Sequence, residues 1–172
     1  ARLPSAAAAT ISAMIDALPE GSLLILDEAY IDIAPPGTAP TIDPNDPRVI
    51  RFRTFSKGYG MAGLRVGYAI TAPELAQAFD KLRNHFGVGR IAQAGALAAL
   101  SDQDWLAQVQ TRVAKGRDRL AQIAHDNGAI PLPSATNFVS MDCGQDGAFA
   151  RKVLAEVVAR GVFIRMPFVA PH

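Results

Sequence analysis

Short apolar runs separated by helix-length segments recur along this sequence, and each run stops at polar residues. Leu23-Leu24-Ile25-Leu26 leads directly into Asp27-Glu28. Val49 to Phe55 alternates apolar and polar residues and leads into Ser56-Lys57, and Gly67 to Ile70 follows the glycine-punctuated segment Lys57 to Gly63. Strand patterns alternating with helical ones predict an α/β layer with a mostly parallel sheet. The first run has no polar position, so it reads as a strand buried on both faces. Ligands of open α/β sheets collect at the carboxyl ends of strands, which directs attention to Asp27, Ser56 and Lys57.

Helical periodicity fills the spaces between the runs. Ser5 to Leu18 is expected to be a helix with Ser5 as N-cap and Pro19 as stop. Pro73 to Phe86 starts with proline at a favourable first position. Ile91 to Leu100 is alanine-rich, and a longer helix from Asp102 to Asn127 carries Trp105, Val109, Val113, Leu120 and Ile123 as its core stripe, ending at Gly128. Beyond it come strands at Ala129–Leu132 and Phe138–Met141, a helix at Ala148–Arg160 and a strand at Val162–Arg165. Residues 1–104 are therefore expected to form part of an α/β domain, and residues 105–172 a connecting helix and an incomplete α+β domain. The stretch from Ile31 to Pro47 holds five prolines and reads as a long loop.

Composition excludes several classes. Seventeen Lys and Arg stand against sixteen Asp and Glu, so no surplus of positive charge points to nucleic acid. One cysteine makes neither an internal disulfide nor a cysteine-based zinc site, no metal centre is expected, and a lone thiol fits a reducing, cytoplasmic compartment. No run approaches the apolar length of a membrane span. The alanine-rich start lacks the charged front of a signal peptide, and the missing initiator methionine suggests a piece of something longer.

The chemistry-bearing residues are few. Asp27 ends a strand as a ligand-facing carboxylate would, or as a surface carboxylate capping a turn. Phosphate-loop nucleotide hydrolases also end an apolar strand in Asp-Glu, but the glycine-rich loop with its Lys-Ser/Thr is absent. Ser56 and Lys57 are followed by Gly58, Gly60 and Gly63, then by Arg65. Glycines there let the backbone turn tightly or approach a ligand closely. Ser56 and Arg65 suit an anionic, phosphorylated cofactor, with Lys57 available as an amine nucleophile. His85, His125, Cys143 and Asn137 are read as structural or exposed residues.

Asp27-Glu28-Ala29-Tyr30, then Ser56-Lys57 and Ala62-Gly63-Leu64-Arg65-Val66-Gly67, resemble the fold type I pyridoxal-phosphate enzymes, closest to the histidinol-phosphate aminotransferase branch. The likeness continues through Ala92-Gln93 and Ser134-Ala135-Thr136-Asn137-Phe138-Val139. It implies the second half of a three-layer, parallel-sheet large domain followed by most of a small C-terminal domain. It also implies roles: Lys57 binds the aldehyde of pyridoxal 5'-phosphate covalently, Asp27 keeps the pyridine nitrogen protonated, and Tyr30 hydrogen-bonds the ring oxygen. Ser56 and Arg65 bind the cofactor phosphate, and Arg165 stands near the substrate's anionic end.

The activity implied is transamination between a small anionic amino compound, histidinol phosphate, and the 2-oxo acid 2-oxoglutarate in histidine biosynthesis, by a homodimer in the full-length protein. An amino-acid-phosphate decarboxylase of the same fold and a non-catalytic regulator domain are the alternatives. Asn84-His85-Phe86-Gly87-Val88-Gly89-Arg90 departs from the proline-aromatic-asparagine run usual in this branch, which bears on the substrate more than on the cofactor. The branch's phosphate-binding helix N-terminus, stacking aromatic and second arginine have no counterpart in these residues. The isolated chain is accordingly expected to be inactive.

Overall fold

The computed structural model describes residues 4–167, and the chain divides into two compact units, Ala1–Val113 and Ala114–His172. The first unit opens with helix α1 (Pro4–Asp16), which runs through Ser5 instead of being capped by it. Strand β1 (Leu24–Asp27) pairs in parallel with β2 (Val49–Thr54), in the register Leu24 to Val49 through Asp27 to Phe52. Strand β3 (Gly67–Ile70) completes a three-stranded sheet in the order β1-β2-β3, but it runs antiparallel to β2. The expectation of a mostly parallel sheet is corrected at this strand. The link from Phe55 to Val66 holds only a short 3₁₀ turn (Ala62–Leu64), whereas a parallel return needs a crossover connection, usually a helix.

Burial of the sheet is one-sided. Leu24 and Leu26 pack with Ile11 and Ile15 of α1, with Val49, and with Ile42 from the proline-rich loop, so that loop contributes to the core. Leu23 and Ile25, on the other side of the strand, are 52% and 62% exposed, which corrects the expectation of burial on both faces. Successive strand side chains point to opposite faces, and among the described residues only one face of β1 has a covering layer. A second core gathers Phe55, Val66 and Ala92, with Tyr59, Met61 and Tyr68 packed around them.

Helix α2 (Pro73–Asp80) has Ala72 as N-cap and stops well before Phe86. From Lys81 the chain turns: Leu82 and Arg83 still donate to Phe79, then Asn84 Oδ1 accepts from the Phe86 N–H and starts a new bend. An asparagine that bonds its own backbone two residues on competes with the helical ladder. Helix α3 (Arg90–Ser101) follows, then α4 (Gln103–Asp126). Trp105, expected in the core stripe of α4, is 49% exposed, and Leu120 and Ile123 are also exposed; Leu106 and Ala124 are the buried residues. Positions 104 and 105, where the sequence pattern puts a boundary, fall in the first turn of α4, and the two compact units divide further along this helix, after Val113. An uninterrupted helix leaves no sequence signal for such a division.

The second unit holds the end of α4, a two-stranded antiparallel ladder of β4 (Ile130–Pro131) and β5 (Met141–Asp142), and helix α5 (Gly147–Ala159). Arg117 of α4 donates from Nη1 to the Thr136 carbonyl at 2.9 Å. Both strands are shorter than expected, and Phe138 lies outside the ladder, 53% exposed. Val162 to Arg165 is not a strand: Val162, Phe163 and Ile164 are exposed and have no ladder partner among the described residues. An apolar run becomes a strand only when another strand supplies its hydrogen bonds. No described helix is long and apolar enough to cross a membrane.

Candidate active site

The parallel pairing of β1 with β2 brings the two polar strand ends side by side, because Asp27 stands in register with Phe52. Asp27 lies on the exposed face, and its Oδ1 accepts the Ala29 N–H at 3.0 Å. That short side-chain turn bends the chain out of the strand. The Ile31 N–H then donates to the Glu28 carbonyl at 3.0 Å, which sets Tyr30 at the head of the 3₁₀ turn Ile31–Ile33. On the neighbouring strand the Ser56 N–H donates to Thr54 Oγ1 at 3.1 Å, and Lys57 follows at the exposed strand end. Lys57 Nζ stands 5.2 Å from the centre of the Tyr30 ring, within the range of a cation–π contact. Two segments far apart in sequence thus place an amine, a phenol and a carboxylate at adjacent strand ends.

Gly58 explains how Lys57 is carried. A Cβ at this position would stand 3.1 Å from Asp32 Cβ, 3.3 Å from Ile33 Cγ2 and 3.5 Å from Leu106 Cδ1. Only a bare backbone passes between the 3₁₀ turn and α4. Gln110 of α4 secures the same turn by donating to the Asp32 carbonyl at 2.9 Å.

Arg65 is the one described non-glycine residue with positive φ, at φ 53° and ψ 47°. That conformation costs on the order of 1–3 kcal/mol, and such outliers concentrate at functional sites. Its Nη1 donates back to the Ala62 carbonyl at 2.8 Å. Arg65 and Ser56 line one cavity of about 540 Å³, together with Phe52, Thr54, Gly67 and Tyr68. A hydroxyl and a guanidinium at one cavity wall are suited to hold a phosphate.

One group escaped the reading of the sequence. Glu28 is buried, and its Oε1 and Oε2 accept from Arg51 Nε at 3.0 Å and Arg53 Nε at 2.8 Å. The available signal was two arginines at i and i+2 in a strand pattern, a spacing that puts both on one face beside an acid at the next strand's end. Burial pulls the pKa of Arg53 down, but the hydrogen-bonded Glu28 carboxylate, with Tyr68 alongside, outweighs this and leaves it raised. Burial also pushes the Asp32 carboxyl above its ordinary range; Arg53 opposes that shift and Glu28 adds to it. Arg165 lies in the second unit and is exposed.

Residues 5–168 match the family described as aminotransferase class I and II. The chain belongs to that family. Among its aminotransferase relatives, histidinol-phosphate aminotransferase of Desulfotalea psychrophila is 37% identical over 157 residues, covering 88% of this chain and 41% of the relative. The Bacillus licheniformis histidinol-phosphate aminotransferase is 35% identical over 155 residues, covering 88% of this chain and 42% of its own length. The chain thus spans about two fifths of the length of these curated relatives. In structure it is similar to the Sinorhizobium meliloti histidinol-phosphate aminotransferase, which was solved in complex with pyridoxal-5'-phosphate. That likeness has a TM-score of 0.88 and 53% identity, covering 95% of this chain and 45% of that one. The Clostridium acetobutylicum histidinol-phosphate aminotransferase shares the fold at a TM-score of 0.77 and 22% identity, covering 90% of this chain and 47% of that one.

Proposed function

We propose that the protein is a pyridoxal-phosphate-dependent aminotransferase that moves the amino group of histidinol phosphate to 2-oxoglutarate in histidine biosynthesis. The observation that carries this reading is the meeting of Lys57 with Tyr30 at the strand ends beside Asp27, with Ser56 and Arg65 sharing a cavity wall. Those residues fit the cofactor by chemistry: an amine for its aldehyde, a carboxylate for its pyridine nitrogen, a phenol for its ring oxygen, and a hydroxyl with a guanidinium for its phosphate. The relatives named histidinol-phosphate aminotransferase support the choice of substrate.

The cofactor, when bound, supplies an electron sink for the substrate Cα. The chain's own residues hold and steer it. Lys57 would hold the aldehyde through Nζ, and its free amine would take up the proton from the substrate Cα. The Asp27 carboxylate holds the proton on the pyridine nitrogen. Tyr30 donates its hydroxyl to the ring oxygen, and Ser56 and Arg65 anchor the phosphate. Arg165 is assigned to the substrate's anionic group on the resemblance alone. In the same reading the chain is the second half of a three-layer large domain followed by most of a small domain, and the whole protein is a cytoplasmic homodimer.

Borohydride reduction of the whole protein loaded with pyridoxal phosphate, followed by peptide mapping, tests this. The label is expected on Lys57, and Lys57→Ala is expected to lose both the label and transamination of histidinol phosphate. A Lys57→Ala protein that transaminates at the wild-type rate refutes the proposal.

A further inference from the structure

Glu28 is the buried charged residue of the first unit that the proposed chemistry leaves unused. Its place is specific. The Glu28 N–H donates to the Phe52 carbonyl at 2.8 Å, continuing the β1–β2 ladder one residue past Asp27. Its carboxylate straddles Arg51 and Arg53, giving one oxygen to each Nε. Arg53 in turn stands opposite Tyr68 across the antiparallel ladder. One buried ion-pair cluster therefore ties β1 to β2 next to the strand ends that carry Asp27, Ser56 and Lys57.

Neighbouring strand residues point to opposite faces, so a Glu28 fixed to one face fixes Asp27 to the other. A slip of one residue in the β1–β2 register would reverse both. The apolar residues of β1 are a weak guard against that slip, because Leu23 and Ile25 on one side and Leu24 and Leu26 on the other are chemically alike. The carboxylate is a strong guard, since only one register gives it both arginines. Buried ion pairs of this kind add little net stability compared with apolar residues of similar size, and setting register is among their best-supported uses.

We propose that Glu28 is a positioning residue that, through Arg51 and Arg53, sets the aim of Asp27 and of the Ser56–Lys57 strand end toward a shared ligand. This rests on the reading of the site as one for pyridoxal phosphate. Two variants of the whole protein test it: Glu28→Gln, and the triple replacement of Glu28, Arg51 and Arg53 by Met, whose apolar side chains avoid leaving a buried charge unpaired. Visible circular dichroism of the bound cofactor reads how its ring is held, independently of turnover. Both variants are expected to change that signal, and kcat is expected to fall on the order of 10- to 100-fold with KM little altered, the effect of a small misplacement of reacting groups. If the variant that folds keeps the wild-type visible dichroism and kcat and differs only in melting temperature, Glu28 is structural and the proposal is overturned. Absence of any visible cofactor signal from the wild-type protein would overturn the reading of the site as well.

Discussion

Replacing Gly67 by Ala should destabilise the protein through a single backbone clash. A Cβ at Gly67 would stand 2.8 Å from the Arg53 carbonyl oxygen and 3.7 Å from Thr54 Cα. Ordinary contact begins at 3.4 Å, so β3 must retreat from β2 by about 0.6 Å. The obstructing atom belongs to the partner strand's backbone, so no side chain can swing aside. Glycine to alanine would by itself add about 0.4–1 kcal/mol through the unfolded chain, against overpacking that costs about 1–3 kcal/mol. The net loss is about 1–2 kcal/mol, or about 3–6 °C in melting temperature for a chain of this size. The retreat also pulls on the Val66 carbonyl, which accepts from the Phe55 N–H at 3.2 Å, and on Arg65 just before it. Phosphate affinity should therefore fall with stability. Gly63→Ala is the control, since nothing lies within 4 Å of that position and its φ is not positive. Thermal unfolding of the two variants beside wild type decides the matter. A Gly67→Ala protein that melts at or above wild type, or a Gly63→Ala protein that loses as much, refutes the steric argument.

Asp32→Asn should raise stability at neutral pH. Burial holds the Asp32 carboxyl above its ordinary 3.8, so the folded state binds this proton more tightly than the unfolded chain does. Its contribution is then fully present below 3.8 and is lost as pH rises through the raised value. Melting curves at neutral pH and at acid pH should show the variant's advantage shrinking on acidification; a variant less stable at neutral pH would contradict the assignment. Asp146→Ala removes the N-cap of α5, whose Oδ1 accepts the Phe149 N–H at 2.9 Å. It should cost about 1 kcal/mol, while Asp146→Asn stays within a few tenths, as read by urea titration.

The local periodicities determined which segments become helix or strand in the first unit, and the strand ends at Asp27 and at Ser56–Lys57 were legible without coordinates. These are near-neighbour properties: an apolar run, a proline at a helix start, a glycine-rich turn. The later strands were less legible, because pairing depends on a partner. Phe138 and Val162 to Arg165 have strand-like composition, yet only Met141–Asp142 found a ladder with Ile130–Pro131. Trp105 shows the same limit on a helix, since its exposure depends on what lies opposite and not on its own hydrophobicity.

The site itself divides along the same line. Residue types and motif order determined the candidates Asp27, Tyr30, Ser56, Lys57 and Arg65. Tertiary structure decided that the amine of Lys57 stands over Tyr30, that Arg65 takes a left-handed backbone, and that Glu28 is clasped by Arg51 and Arg53. Each of these is a relation between segments that the chain brings together only by folding. The antiparallel turn into β3 belongs with them: the twelve residues from Phe55 to Val66 are about as long as the shortest crossover, and only the folded chain shows that they form a 3₁₀ turn and return antiparallel. Sequence carries the energies of single residues and their near neighbours, and distances between remote strands arise when the sheet assembles.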